Sequence, residues 1–568
     1  MTTVAPVAVG ATAEERDEPF RVAQALRTYA PLLAAALVCA VAASLVAPYP
    51  VGIFHDDGVY LVLAKSIASG NGYRYLHLPG SPIAAHYPPA YPLLLALLWT
   101  LAPHFPGNLT IILLANAALL GLVAWGCARF LIRHLEWPPF AATGFALVAT
   151  LSLPLIQLTT LVLSEITFLG LLLLVLTYAE RVTGNGERGT GDGALPAQSS
   201  PFPVPRAPSP VQDLLLGACA GGMALVRAHG AVLVVALAIV FALRRQWRRV
   251  GLSVASAAIV MAPWQLWVTI HDAALPATLR GSYGSYTTWF VSGLTEGGLP
   301  FVWHTIALNA SEAAGILVDR FAPWNAGVLR LIPLTVALAL IALGAVRLWR
   351  RTPVTVAFIL AYFAVTLIWP YTPWRFIWGI WPLVLLLVVE GGSTVVRWQP
   401  TLRPMQFVRR GLFAALALVG LGLARAEVLA YRDRAWASPV REATRSIAPA
   451  MRWISQGTNA HDLVVVDAEA LVYLFTARPS MPPVAFTAAE YVKPRDQQAD
   501  IAALGELVRR FPVSYVVTVV PSTIVAARAL EHPTSPGAPA LREVEAVPGV
   551  AVFSVVRPGI SDPELPRQ

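Results

Sequence analysis

Residues 54–92 read FHDDGVYLVLAKSIASGNGYRYLHLPGSPIAAHYPPAYP, a polar stretch between two strongly apolar runs. Two adjacent carboxylates, Asp56 and Asp57, stand where an ordinary connector would carry none. Val59, Leu63 and Ile67 repeat at helical spacing until Gly70, Asn71 and Gly72, so a short interfacial helix is expected over 58–68. Pro88, Pro89 and Pro92 then introduce a second apolar piece, 93–101. A full crossing there would leave Arg129, Arg133 and His134 outside. Laid along the interface, it lets a span over 109–132 deliver them to the cytoplasm, as the positive-inside rule prefers.

The residues on either side set the class. Of 568 positions, 56% are hydrophobic and only 13% charged, more apolar surface than a soluble domain buries. Several runs approach the roughly 20 residues that cross a bilayer, so a polytopic helical membrane protein is expected. The formal charge of +9 sits in short arginine clusters beside apolar runs, which marks cytoplasmic loops and not a nucleic-acid partner. The three cysteines, Cys39, Cys127 and Cys219, all fall in apolar runs and indicate neither a disulfide framework nor a zinc site.

Working outward, residues 1–28 are polar, without a signal-peptide pattern, and are expected to stay cytoplasmic. The first span, 29–46, puts the 48–108 loop on the outer side. Spans over 140–158 and 165–178 flank Ser164 and Glu165 near the outer face. The Gly-, Pro- and Ser-rich stretch 183–212 is expected to be a disordered cytoplasmic linker that tolerates deletion. An apolar run over 214–243, interrupted at Arg227, His229 and Gly230, suits a hairpin of two short spans turning near the outer face. A span over 252–270 leads to a long outer loop, 271–327, rich in Trp, Tyr and Gly. Spans near 328–346, 354–370, 375–391 and up to 424 complete about eleven, making 29–424 the membrane domain. Residues 425–568 then read as a small outer α/β domain: helix 440–455, strands 463–467 and 471–475, helix 498–511, strands 514–520 and 550–556. No phosphate loop, metal spacing or nucleophile elbow occurs there, so a structural or acceptor-binding role is expected.

Carboxylates near lipid are costly unless they have a partner or a task, which makes Asp56, Asp57 and Glu165 candidate catalytic residues. The ordinary alternative for each is a hydrated loop acid. Paired acids suit general-base work on a hydroxyl, or a divalent metal held through hard oxygen ligands; no cofactor is implied outright. Lys65, Arg74, His86, Arg227 and Arg375 suit a phosphate. Arg227 and Arg375 stand out because each interrupts or begins an apolar span at the outer face. Lys65 suits the end of a surface helix better than it suits a phosphate.

At these residues the chain resembles a family. HDDGVY closely after the first span, a GNGY turn and HYPPAYPLLLALLW are similar to the GT-C superfamily of integral-membrane glycosyltransferases, in its protein O-mannosyltransferase and lipid A aminoarabinose transferase branch. VLSEITF at Glu165 and PWRFIWGIWPL at Arg375 resemble further landmarks of bacterial members. The resemblance implies a GT-C-like membrane domain that transfers a sugar, with inversion, from a polyprenyl-phosphate donor to a lipid, glycan or protein acceptor. It implies Asp56 as the base and Glu165 as a second acid. Some members carry lysine directly before the proline pair; here that position is Tyr87, with His86 one earlier, so the phosphate contact differs.

Two other readings stand beside this one. A polyprenyl-lipid or glycan flippase would place ionisable residues in broken helices and often show repeated halves, and no repeat is seen here. A membrane scaffold for the C-terminal domain would need no acid pair. Lys65 and Lys493 are the only lysines, amid abundant Ala, Arg and Pro; this suggests a GC-rich bacterial genome and hence the plasma membrane.

Overall fold

Backbone groups in hydrocarbon must find their partners within their own segment, so the apolar runs fold as helices. The computed structural model describes residues 13–184, 209–324, 327–532, 539–547 and 549–557. Most of the 183–212 linker and the ends of the chain lie outside the described residues. Among the described residues seven helices are long and apolar enough to cross a membrane, and an eighth is formed if Pro139–Thr150 and Leu153–Thr159, bent by 60° at their junction, count as one span. The other expected spans are shorter apolar helices, such as Pro353–Ile368, or broken ones. This is a multi-pass helical membrane protein. The first helix, Ala13–Leu45, begins inside the segment expected to be a polar tail. In Trp247–His271 only Ser253 and Ala257 are buried, while Ile259 and Leu266 stand exposed, a surface suited to lipid.

Two expectations for the membrane domain change. The break in the run over 214–243 is not one of them: it falls at Arg227, as expected, which is extended (φ −155°, ψ 131°) between Pro210–Val226 and the short turn Ala228–Ala231. The 271–327 stretch is not a loop but largely helical, over Ala277–Tyr283 and Tyr286–Phe321. The latter is no straight rod: Gly298 (φ 60°, ψ −154°) precedes Pro300 and folds it back. Trp289 and Asn309 consequently both reach Trp369, at 5.5 Å between ring centroids and 2.7 Å to its carbonyl. Its aromatic and glycine content masked the helical period. The second change concerns the helix Asp56–Ala68, expected at the interface but buried nearly all round, with Leu61, Leu63 and Ala64 inaccessible.

Helix Ala90–Leu101 packs along Asp56–Ala68, and the C-terminal domain covers a further side. Its sheet runs β2 (Ser480–Met481), β1 (Leu463–Val466), β3 (Val513–Thr518), β5 (Val550–Val556), β4 (Ala540–Val547), parallel across the first three and antiparallel beyond. Helix Ser438–Gly457 packs Trp453 on Tyr515 on one face, and Leu504 and Leu507 of Gln497–Arg510 are buried on the other side. The apolar run expected as a strand over 471–475 is the helix Glu469–Thr476, since a short fully buried run has no period that distinguishes the two. This helix lies on Asp56–Ala68. Gly52 (φ 108°) permits the contact: a Cβ there would stand 2.6 Å from the Leu471 nitrogen. Ser480 N–H donates to the His77 carbonyl at 2.8 Å, tying β2 to the 48–108 segment.

Candidate active site

The adjacent acids of the quoted stretch divide at the start of their helix. Asp57 is fully buried and accepts from the backbone N–H groups of Gly52 (2.9 Å), Phe54 (3.1 Å) and Gly58 (3.0 Å) and from Tyr49 Oη (3.0 Å). Burial pushes its carboxyl above the usual value, against these donors. It organises the 52–58 turn and does not line the cavity described below. Asp56, one residue earlier, points the other way, accepting from Tyr87 Oη at 2.6 Å and Arg375 Nη1 at 2.6 Å. Burial raises its carboxyl, but Arg375, His55 and the Tyr87 bond outweigh that and hold it at about 2.

Arg375 continues the chain of charges, its Nε donating to Glu165 Oε1 at 2.7 Å. Arg227 Nη1 lies 2.8 Å from the same oxygen and 3.2 Å from Ser164 Oγ. The break at Arg227, the start of helix Glu165–Gly184 and the short helix Trp374–Gly379 thus converge on Asp56. Two carboxylates and two guanidiniums form a buried, electrically balanced cluster. Tyr60, buried beside it, stacks edge-on to Tyr87 and Tyr91 at 4.8 and 5.0 Å.

The cluster opens into a cavity of about 620 Å³ lined by Asp56, His86, Tyr87, Arg227 and Arg375, with Tyr286 and Trp369 on its aromatic side. The opposite wall belongs to the C-terminal domain, through Asp467, Glu469, Arg495 and Thr523. His86 Nδ1 bonds the Gly284 carbonyl, and burial lowers its pKa to about 4, so it is neutral near pH 7.

Of the sequence candidates, Asp56, Glu165, Tyr87, His86, Arg227 and Arg375 come together. Glu165 sits behind the two arginines and does not line the cavity itself. Lys65 and Arg74 lie elsewhere. Lys65 stands over the Tyr473 ring at 4.6 Å, covered by the docked domain, and Arg74 donates to the Ser81 carbonyl at 3.1 Å. His55, Tyr60, Tyr283, Tyr286 and Glu469 were missed as site residues. His55 directly precedes the acid pair, and Glu469 follows a buried strand, an accessible signal only once the domain is known to dock here. Among the described residues no group of three His, Cys, Asp or Glu side chains could hold a metal ion, and Asp56 is occupied by Tyr87 and Arg375.

No family model and no curated protein matches the chain. Among solved structures it is similar over 92% of its length to the crystal structure of ArnT from Cupriavidus metallidurans bound to undecaprenyl phosphate, covering 97% of that chain at 15% identity and TM-score 0.48. For ArnT from the same organism in the apo state the values are 96% and 98% coverage, 15% identity and TM-score 0.46. For the cryo-EM structure of the mycobacterial arabinofuranosyltransferase AftD they are 93% of this chain, 40% of that chain, 16% identity and TM-score 0.38.

Proposed function

We propose that this protein is a membrane glycosyltransferase that moves a sugar from a polyprenyl-phosphate donor to an acceptor hydroxyl at the outer face of a bacterial plasma membrane. The observation that carries the reading is a carboxylate, Asp56, set with two guanidiniums on the membrane-domain wall of a large cavity. The order of sequence landmarks, acid pair, proline pair, Ser-Glu, then PWR, supports it independently.

The chemistry follows from the positions. The acceptor oxygen attacks the anomeric carbon as its O–H proton passes to Asp56. The bond from that carbon to the phosphate oxygen breaks, and its electron pair leaves on the phosphate. Attack opposite the leaving group inverts the centre. At a pKa of about 2 the resting Asp56 is a weak base, because Arg375 and Tyr87 neutralise it. An incoming phosphate competes for the Arg375 guanidinium, and as that bond loosens Asp56 becomes more basic. The base is activated only when the donor is in place. Glu165 keeps both arginines oriented, Asp57 builds the turn that aims Asp56, and aromatic side chains offer faces for the sugar. The C-terminal domain, held on the outer side, closes the cavity to water.

The test uses purified full-length protein in lipid nanodiscs, wild type and Asp56→Asn, with a panel of polyprenyl-phosphate sugars. Release of free polyprenyl phosphate by wild type alone is the expected result. Equal release by both proteins would remove Asp56 from the reaction.

A further inference from the structure

The cluster around Asp56 contains as many negative as positive groups, yet the donor brings a phosphate whose charge increases when the sugar leaves. Arg375 is shared between Asp56 and Glu165, and Arg227 is paired with Glu165. Lys65 and Arg74 are outside the cavity, and His86 is neutral. Among the described residues, the membrane-domain group on the cavity wall that can add a positive charge next to Asp56 is His55.

His55 is held in an unusual way. Its backbone has a positive φ in a γ-turn conformation (φ 61°, ψ −69°), costly for a residue with a Cβ, and it immediately precedes Asp56. Nδ1 lies 3.2 Å from Oε1 of Glu469, a residue 2% exposed and contributed by the C-terminal domain. Tyr283 Oη donates to the same Glu469 oxygen, and the Tyr283 ring sits edge-on to His55 at 5.5 Å. Because Tyr283 uses its proton on Glu469, His77 Nε2, 2.8 Å from that hydroxyl, is the donor there. Burial lowers the His77 pKa to about 3, so this second imidazole stays neutral and adds no competing charge. The groups facing His55 are therefore Glu469, Asp56, Asp57, Tyr283 and neutral His77. With Nδ1 engaged, Nε2 is the ring nitrogen left for a ligand.

We propose that His55, held by Glu469 of the C-terminal domain, is the cation that receives the phosphate end of the polyprenyl lipid, so that the donor site is complete only when that domain is docked. His55 touches the substrate; Glu469 is a positioning residue acting through it, as a carboxylate orients an imidazole by its second nitrogen. Burial disfavours the imidazolium, but Glu469 first, then Asp56 and Asp57, more than offset this and raise the His55 pKa. A raised pKa means the imidazolium persists toward neutral pH and is lost as pH rises through it, so phosphate binding should weaken on the alkaline side.

The inference rests on the donor reading above, and the experiment separates the two. Full-length wild type, His55→Gln, His55→Lys and Glu469→Gln are placed in nanodiscs. Equilibrium binding of undecaprenyl phosphate, and of undecaprenol as the uncharged control, is measured from about pH 5.5 to about pH 8.5. The expected result is wild-type binding of the phosphate, but not the alcohol, that weakens with rising pH. His55→Gln should lose roughly tenfold at the acidic end and flatten the profile, while His55→Lys keeps tight binding at the alkaline end. Glu469→Gln should move the fall-off to lower pH. Wild-type binding that His55→Gln leaves unchanged, or equal binding of the alcohol, overturns the role of His55 and leaves a polyprenyl-lipid site standing. No wild-type binding at any pH overturns the donor reading and this inference together. If His55→Gln does not fold, a flat wild-type profile or a His55→Lys profile that still falls with pH overturns the proposal.

Discussion

Buried acids with basic or hydroxyl partners occur at both ends of the helical bundle, and the two ends differ in what surrounds them. At the end expected to be cytoplasmic, Glu390 meets Arg347 Nε at 2.8 Å and accepts from Trp137 Nε1 at 2.8 Å. Nearby, Asp213 pairs with Arg249 at 2.9 Å, and Glu180 accepts from the Thr355 N–H at 2.6 Å and hydroxyl at 2.8 Å. None of these residues lines the large cavity. At the end expected to be outer, Asp56 and Glu165 pair with Arg375 and Arg227 at equally short distances, but Asp56 and both arginines open into it. Pairing and burial are common to both ends. Access to a large, aromatic-lined space distinguishes a site from a staple.

The largest effect that can break this comparison is on transfer. Asp56→Asn should cut turnover by roughly a hundred- to ten-thousand-fold with the protein still folded, read as polyprenyl phosphate released per molecule. Activity near wild type would mean that the outer cluster is also a staple. Next, Arg347→Ala should lower stability by about 1–3 kcal/mol, because it leaves Glu390 without its cation, while turnover per folded molecule stays unchanged. A thermal unfolding midpoint paired with an activity assay decides that. Gly52→Ala should cost about 1–3 kcal/mol at the domain contact, through its positive φ and the Leu471 backbone, and speed proteolysis between the domains. Titration sharpens the contrast further. With its folded pKa depressed to about 2, Asp56 contributes stability that is present above its unfolded value and lost as pH falls through the folded one. Carboxylate infrared bands of wild type minus Asp56→Asn should therefore show it ionised down to about pH 4 without donor. The smallest effect belongs to Lys65→Met, within about 0.5 kcal/mol and without loss of transfer.

How much of this was legible differs from residue to residue. Asp56, Glu165, Arg227 and Arg375 could be singled out because an ionisable group beside an apolar run is conspicuous in one dimension. Asp57 has the same chemistry and an adjacent position, and only the turn at Gly52 shows that it faces the backbone while Asp56 faces the cavity. Lys65, one of only two lysines, was a weaker candidate than either arginine, and its helix turns it toward Tyr473. The 271–327 stretch concealed a helix folded at Gly298, because its aromatic residues obscure the period on which helix assignment depends.

The sequence by itself determined the membrane class and the helices that had to form, since hydropathy and backbone hydrogen bonding act locally along the chain. Only the tertiary structure decided that positions 56, 165, 227 and 375 meet, that the acid-pair helix is covered, and that Glu469 stands against His55. Those contacts join residues up to hundreds of positions apart, and they depend on which faces pack together, a property that no single segment carries.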